Sequence, residues 1–450
     1  MSNDTTARPA SRRSDLPTTT VPLPDWFILL ALVLLVASEY KFRRRTLGDS
    51  LGGSLDFMVM LEIGVYGLVA LTMAVQHFKG GRPPRPTPLM VALWTYGAIM
   101  AASTLYAPFM NLAVVRGGQL LIIVAFTQML ADRADQMQFR RFSQYYVGLM
   151  MVSIGVGLVY VAPTSRYQAG RFTWLHVHSV SAGAMLSSGL ILAVGLLAIR
   201  PPGAGRQRWV TLVLVGCTAA VAGALVMSKT RGSIGGAVAG LLVFAVLRVP
   251  RQRRAGAVVL GGAGLAGLLY FALPAVESFV ARGEPPESIT TLSNRTELWS
   301  IAWTDIQRKP VFGWGMTASR GLFFDAVQLG GAHNAFVNAA VDGGLVGFTA
   351  WAVLLVLLVV TMWQTWKRFP STHPQVALCA GVFVALVVNG VTMEGLGSGA
   401  GIAFLMLCIL IAWVLTLGRT AEELQGPPSG PGRRAAGVAA APRDQNPIGS

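Results

Sequence analysis

Charge is scarce in this chain, and negative charge is the scarcest. Only 12% of the 450 residues are Asp, Glu, Lys or Arg, against about a quarter in ordinary soluble domains. Water cannot be the main solvent for such a surface. Cysteine is nearly absent as well, and Cys217, Cys379 and Cys408 all fall inside apolar runs. That excludes a disulfide framework or a thiolate zinc site and leaves packing as their role. No Asp-x-Asp pair, Walker loop or His-Glu-x-x-His occurs, so a metal-dependent sugar transferase, an ATP-driven pump and a membrane metalloprotease all lose support.

What is there is apolar: 53% of the residues are hydrophobic. They come in unbroken runs of about 17 to 25, the length that crosses a hydrocarbon core. The predicted architecture is an all-α integral membrane protein with about twelve spans, at 26–40, 57–76, 89–106, 109–130, 144–162, 177–199, 210–227, 234–248, 256–274, 335–363, 376–393 and 401–418. The net charge of +16 comes mostly from Lys and Arg clusters between runs, which orient a membrane protein and do not call for nucleic acid. These clusters place both termini in the cytoplasm. Lys41, Arg43, Arg44 and Arg45 break the pattern: either later loops outvote them, or the first run does not cross. The chain then divides into a cytoplasmic disordered tail (1–24), nine spans (25–274), an extracytoplasmic loop (275–334), three spans (335–418) and a second cytoplasmic tail (419–450).

A loop of about sixty residues between lipid-solvated helices needs a reason, and this one holds Trp299, Trp303, Phe312 and Trp314, which argues for structure. Asn294 and Glu297 have the spacing of a helix start. Leu298, Trp299, Ala302 and Ile306 share one face, so a short amphipathic helix on the membrane surface is expected. Lys309-Pro310 ends it and Gly313 and Gly315 bend the chain after it.

Few ionisable groups fall near the outer face, and those within lipid are functional candidates by default. Glu62 and Arg116 lie within spans, and Arg231 opens the eighth. Arg166, Arg171, His176 and His178 flank the sixth, and Asp342 begins the tenth. His333-Asn334 precedes the tenth span and admits two readings: a helix cap, or a base beside a helix terminus suited to an anion. Arg231 and Arg295 are likewise either lipid-phosphate contacts or parts of a clamp for a diphosphate. His176 and His178 are two residues apart and point in different directions, against a shared metal. No metal and no other cofactor is expected.

Three blocks then carry a resemblance. They are Ser-Lys-Thr-Arg231-Gly-Ser; Asn-Arg295-Thr-Glu-Leu-Trp299 with Pro310-Val-Phe-Gly-Trp-Gly315; and His333-Asn334 followed by Asp342-Gly-Gly344-Leu-Val-Gly347. Over roughly residues 165–350 the chain resembles the O-antigen ligase and polymerase superfamily, bacterial membrane glycosyltransferases of GT-C-like build. Asp342 stands where that family more often has Glu. The resemblance implies inverting, metal-independent transfer from an undecaprenyl-diphosphate-linked glycan at the outer, periplasmic face of the inner membrane. It assigns the donor diphosphate to Arg231 and Arg295, with Arg116 and Arg171 as further contacts, and activation of the acceptor hydroxyl to His333. His176, His178, Asn334, Trp299 and Asp342 are the remaining substrate-binding candidates.

The acceptor is either a lipid-linked repeat, as in polymerases, or lipid A-core, as in ligases. Arg171-Phe-Thr-Trp-Leu-His176-Val-His178 is similar to a His-Lys-Asn element of exopolysaccharide polymerases and favours the first. A chain-length regulator and a flippase of the same pathway are the implied protein partners. A polytopic transporter or lipid flippase is the competing class. The unlike halves of the chain and the polar groups crowded at one face argue against it.

Overall fold

The computed structural model describes residues 21–41, 56–79, 86–160, 170–175, 177–199, 207–271, 295–327, 330–369, 373–397 and 399–425. Among these the regular structure is entirely helical, as lipid requires of segments that must satisfy every backbone group internally. In chain order the helices are α1 (Leu29–Glu39), α2 (Phe57–Lys79), α3 (Pro88–Ala102), α4 (Met110–Arg133), α5 (Gln136–Val159), α6 (Ser179–Ala198), α7 (Gln207–Met227), α8 (Arg231–Arg248), α9 (Arg254–Phe271), α10 (Arg295–Arg308), α11 (Ala318–Val327), α12 (Ala335–Arg368), α13 (Pro374–Thr392) and α14 (Ile402–Gln425).

Ten of the described helices are long and apolar enough to cross a membrane, fewer than the expected twelve. The first apolar run is the clear departure. It folds as a 3-10 turn, Asp25–Ile28, and an 11-residue α1. At 1.5 Å per residue α1 covers roughly 16 Å, about half a hydrocarbon core. Its Leu34 and Leu35 are buried in the protein core. The other departure is α9, whose side chains are described only as far as Gly264. The expected second tail begins later than residue 419, because 419–425 continue α14 and Ala421 is buried; of the two tails only 21–24 and 419–425 are described, and the rest lies outside the described residues.

Helices α6 and α14 form the interior, with most of each enclosed by neighbours. Helices α8 and α13 pack closest, for a reason legible in the sequence. Gly232, Gly236 and Gly240 recur every fourth residue and so line one stripe of α8. A Cβ at Gly240 would lie 2.5 Å from the Gly381 carbonyl oxygen, and one at Gly236 2.9 Å from that of Ala385. The two backbones meet directly, the device by which helices associate in lipid without a hydrophobic driving force. This contact brings Arg231, the first residue of α8, beside Thr392, the last of α13.

Helix α12 is broken at Gly344, whose φ of 57° and ψ of −158° no side-chain-bearing residue adopts readily. The backbone groups freed by the break are taken up by the segment before α11. Trp314 and Gly315 donate to the carbonyls of Val341 and Asp342, both at 2.9 Å, while Leu345 and Val346 donate to those of Pro310 and Val311 at 2.8 and 3.0 Å. Gly313 and Gly315, at φ 68° and 100°, supply the bends. The Pro-x-x-Gly-x-Gly and Asp-Gly-Gly blocks therefore pair with each other, which gives both a structural cause.

Candidate active site

The loop from Ala332 to Asn334 is held from four directions. Trp299 Nε1 on α10 donates to the Ala332 carbonyl at 3.2 Å, and the Ala332 amide donates to Asn338 Oδ1 at 3.0 Å. Asn334 caps α12, its Oδ1 accepting from the amides of Phe336 at 2.9 Å and Val337 at 3.2 Å. Glu394 accepts the His333 amide at 3.2 Å. With its neighbours fixed, His333 is kept at φ 51°, the left-handed region an imidazole-bearing residue seldom occupies. Asn334 and Trp299 are thus supports of the loop. The expected interfacial helix is α10. It buries Leu298 and Ala302 against Phe323, Ala332 and Val341 while Trp303 stays exposed. The expected cap at Asn294 lies outside the described residues.

His333 opens onto a cavity of about 450 Å³. Its walls include Glu39, Arg116, His178, Arg320, His333 and Glu394, with hydroxyl and amide groups of Ser38, Ser181, Thr317, Ser319 and Asn338. Lys41 and Arg116 face Glu62, at 3.4 and 2.9 Å. Arg116 also donates to Gln119 at 2.7 Å, so it belongs to this wall. His178 caps α6 through Nδ1, which accepts the Val180 amide at 3.3 Å. Its side chain is exposed to the cavity, and desolvation there, with the charges of Arg171 and His333, pushes its pKa down to about 4. His176 lies outside the described residues.

Arg231, Arg295 and Arg171 are not among the cavity walls. Arg295 Nη2 donates to the Thr392 carbonyl at 3.2 Å, the negative end of α13. Arg171 donates to the Ser228 carbonyl and to Thr230 Oγ1, both at 3.1 Å, in the turn that leads into Arg231. Burial and then the charge of Arg231 hold Arg295 below its ordinary pKa, so the two guanidinium groups repel each other. Two cations held in that way favour an anion between them.

His333 lies within the field of Arg295. Burial, then Arg295, keeps its pKa below the usual imidazole value, which leaves a neutral ring at neutral pH. Its Nδ1 lies 3.4 Å from Glu394 Oε1, with the side chains 37% and 30% exposed. Burial, opposed by Arg320 and the His333 amide, pushes Glu394 up to about 7. Asp342 is fully buried, and its Oδ1 accepts the Ser319 amide at 2.6 Å, which ties the start of α11 to the broken part of α12.

Glu394, Arg320 and Glu39 escaped the sequence reading. Glu394 follows a span in Thr-Met-Glu-Gly-Leu-Gly, and a carboxylate ringed by glycines just beyond a span was the available signal. Arg320 and Glu39 carry no local signal, because only tertiary packing brings α1 and α11 to the same cavity.

No curated protein matches the chain. A family model described as O-antigen ligase matches residues 216–352, a stretch that runs from α7 to the middle of α12 and contains Arg231, Arg295 and His333. This segment, under a third of the chain, is what is similar to the O-antigen ligase family.

Proposed function

We propose that the protein transfers glycan from a lipid diphosphate to a sugar hydroxyl at the outer face of the inner membrane, with a lipid-linked repeat unit as the acceptor. The observation that carries this reading is the double setting of His333, which lines a polar cavity while standing within the field of Arg295. In this reading the donor diphosphate lies at Arg231, Arg295 and Arg171, beside the first turn of α8, and the acceptor sugar occupies the cavity. Glu394 faces Nδ1 of His333, leaving Nε2 for the acceptor hydroxyl. The hydroxyl oxygen bonds to the anomeric carbon as its proton passes to Nε2, and the carbon–phosphate-oxygen bond breaks with its electron pair on the diphosphate. Fixed cations at the leaving group lower the barrier because they need no reorganisation as charge develops. Attack from the face opposite the diphosphate inverts the anomeric centre.

The test is a gene deletion complemented with wild type or His333→Ala. Loss of long-chain polymer with single repeats retained supports the polymerase. Loss of glycan from lipid A-core with lipid-linked polymer accumulating supports ligase activity, the reading favoured by the description of the matched family. Transfer undiminished in His333→Ala would overturn both. Transfer by purified protein is expected to persist in a chelator.

A further inference from the structure

Arg320 differs from every other charged side chain in the cavity wall. Glu39 accepts the Ile402 amide at 2.7 Å, Glu394 accepts the His333 amide, and Lys41 and Arg116 face Glu62. The guanidinium of Arg320 makes no hydrogen bond or ion pair with any described residue, although the side chain is partly buried at the cavity wall. Glu394 and Glu39 act on it only at longer range, and Arg116 repels it. A guanidinium cannot escape such a position by losing its proton, so the cost of enclosing it has to be offset by an anion. Its backbone is well placed for recognition. Arg320 lies in the first turn of α11, where its amide donates to the Thr317 carbonyl at 3.2 Å and the preceding residue is pinned by Asp342. A fixed fork of donors matches a planar carboxylate, and the hydroxyls and amides nearby suit a sugar ring.

We propose that Arg320 is the receptor for the carboxylate of an acidic sugar, so that the cavity selects a glycan carrying a uronic acid next to the reacting hydroxyl. This rests on the reading above that the cavity holds glycan. The donor diphosphate has its own cations, Arg231, Arg295 and Arg171, outside the cavity wall.

Full-length protein in nanodiscs would be titrated with methyl glucuronide, methyl glucoside and inorganic diphosphate by isothermal titration calorimetry. Wild type is expected to bind the glucuronide in preference to the glucoside. Arg320→Gln should weaken the glucuronide about tenfold or more, as expected for a lost charge-assisted pair, and leave diphosphate binding unchanged. Arg320→Lys, which keeps the charge without the fork, should recover part of the loss and also controls for folding. Equal binding of glucuronide and glucoside, no glucuronide binding by wild type, or unchanged glucuronide binding by Arg320→Gln would overturn the proposal. So would an equal loss of diphosphate binding, which would move Arg320 to the donor site. His333→Ala separates the two readings, because it should abolish transfer and keep the glucuronide; full transfer with glucuronide selectivity intact would sink the transferase alone.

Discussion

Glu394 touches His333 at two points, its Oε1 accepting the backbone N–H at 3.2 Å and lying 3.4 Å from the ring Nδ1. A Cβ at Gly331 would collide with the same carboxylate, so the loop approaches Glu394 as closely as a glycine allows. The contact fixes both the backbone of His333 and the direction its ring faces.

Replacing Glu394 with Gln should therefore slow transfer by about tenfold to a hundredfold, the worth of one hydrogen bond to a charged group. The acid limb of the pH profile gives a sharper readout. His333 must be neutral to accept a proton, and Arg295 is one cause of its lowered pKa. Arg295→Gln should move that limb to higher pH as well as lower the rate. A limb that stays in place would remove His333 from the role of base.

Stability should depend on pH at the same pair. The folded-state pKa of Glu394 is raised to about 7 from an ordinary 4.5, so the folded protein binds the extra proton in that window and loses stability as pH rises through it. His178, lowered to about 4, acts in the opposite sense and costs stability as pH falls from about 6.5 towards 4. Glu394→Gln should gain thermal stability over wild type between pH 5 and 8. Melting curves in detergent at several pH values would show the difference growing with pH, and a constant difference would contradict the assignment.

Arg231→Ala and Arg295→Ala should each lower transfer by about a hundredfold or more, since both act on the same developing charge. Their effects should not multiply in the double variant, because removing either cation already disrupts the pair. Steady-state rates with a lipid-diphosphate donor measure this, and strictly multiplicative losses would mean that the two arginines act separately.

Gly344→Ala should destabilise the fold by about 1–3 kcal/mol, because a Cβ has no relaxed place at that φ and ψ. Along α8, Gly240→Ala should cost a similar about 1–3 kcal/mol by overpacking against α13. Gly235→Ala, where an added Cβ meets nothing within 4 Å, should be neutral or slightly stabilising. Unfolding in detergent compares the three, and equal effects at Gly235 and Gly240 would contradict the packing of α8 on α13.

The apolar runs, the loop helix ending at Arg308 and the bends at Gly313 and Gly315 were legible because each rests on local chemistry: run length, helix termination and glycine torsions. The first run was left open by its flanking charges, and composition alone did not show that its α-helix is only 11 residues long. The block Asp342-Gly-Gly344 has the strongest motif and little exposed chemistry. It is conspicuous in sequence because a broken helix in a membrane must find partners for its backbone, and Pro310–Gly315 supplies them.

By itself the sequence determined the solvent, the helical class and the residue types at hand, because hydropathy, helix period and the shortage of ionisable groups act over a few turns. Which charges share a site was decided only by the tertiary structure. Arg295 reaches Thr392 across 97 positions and His333 reaches Glu394 across 61, and no local pattern encodes such distances. The glycine stripe of α8 joins the two levels: written in the sequence at every fourth residue, it brings Arg231 to the end of α13 only once the helices pack.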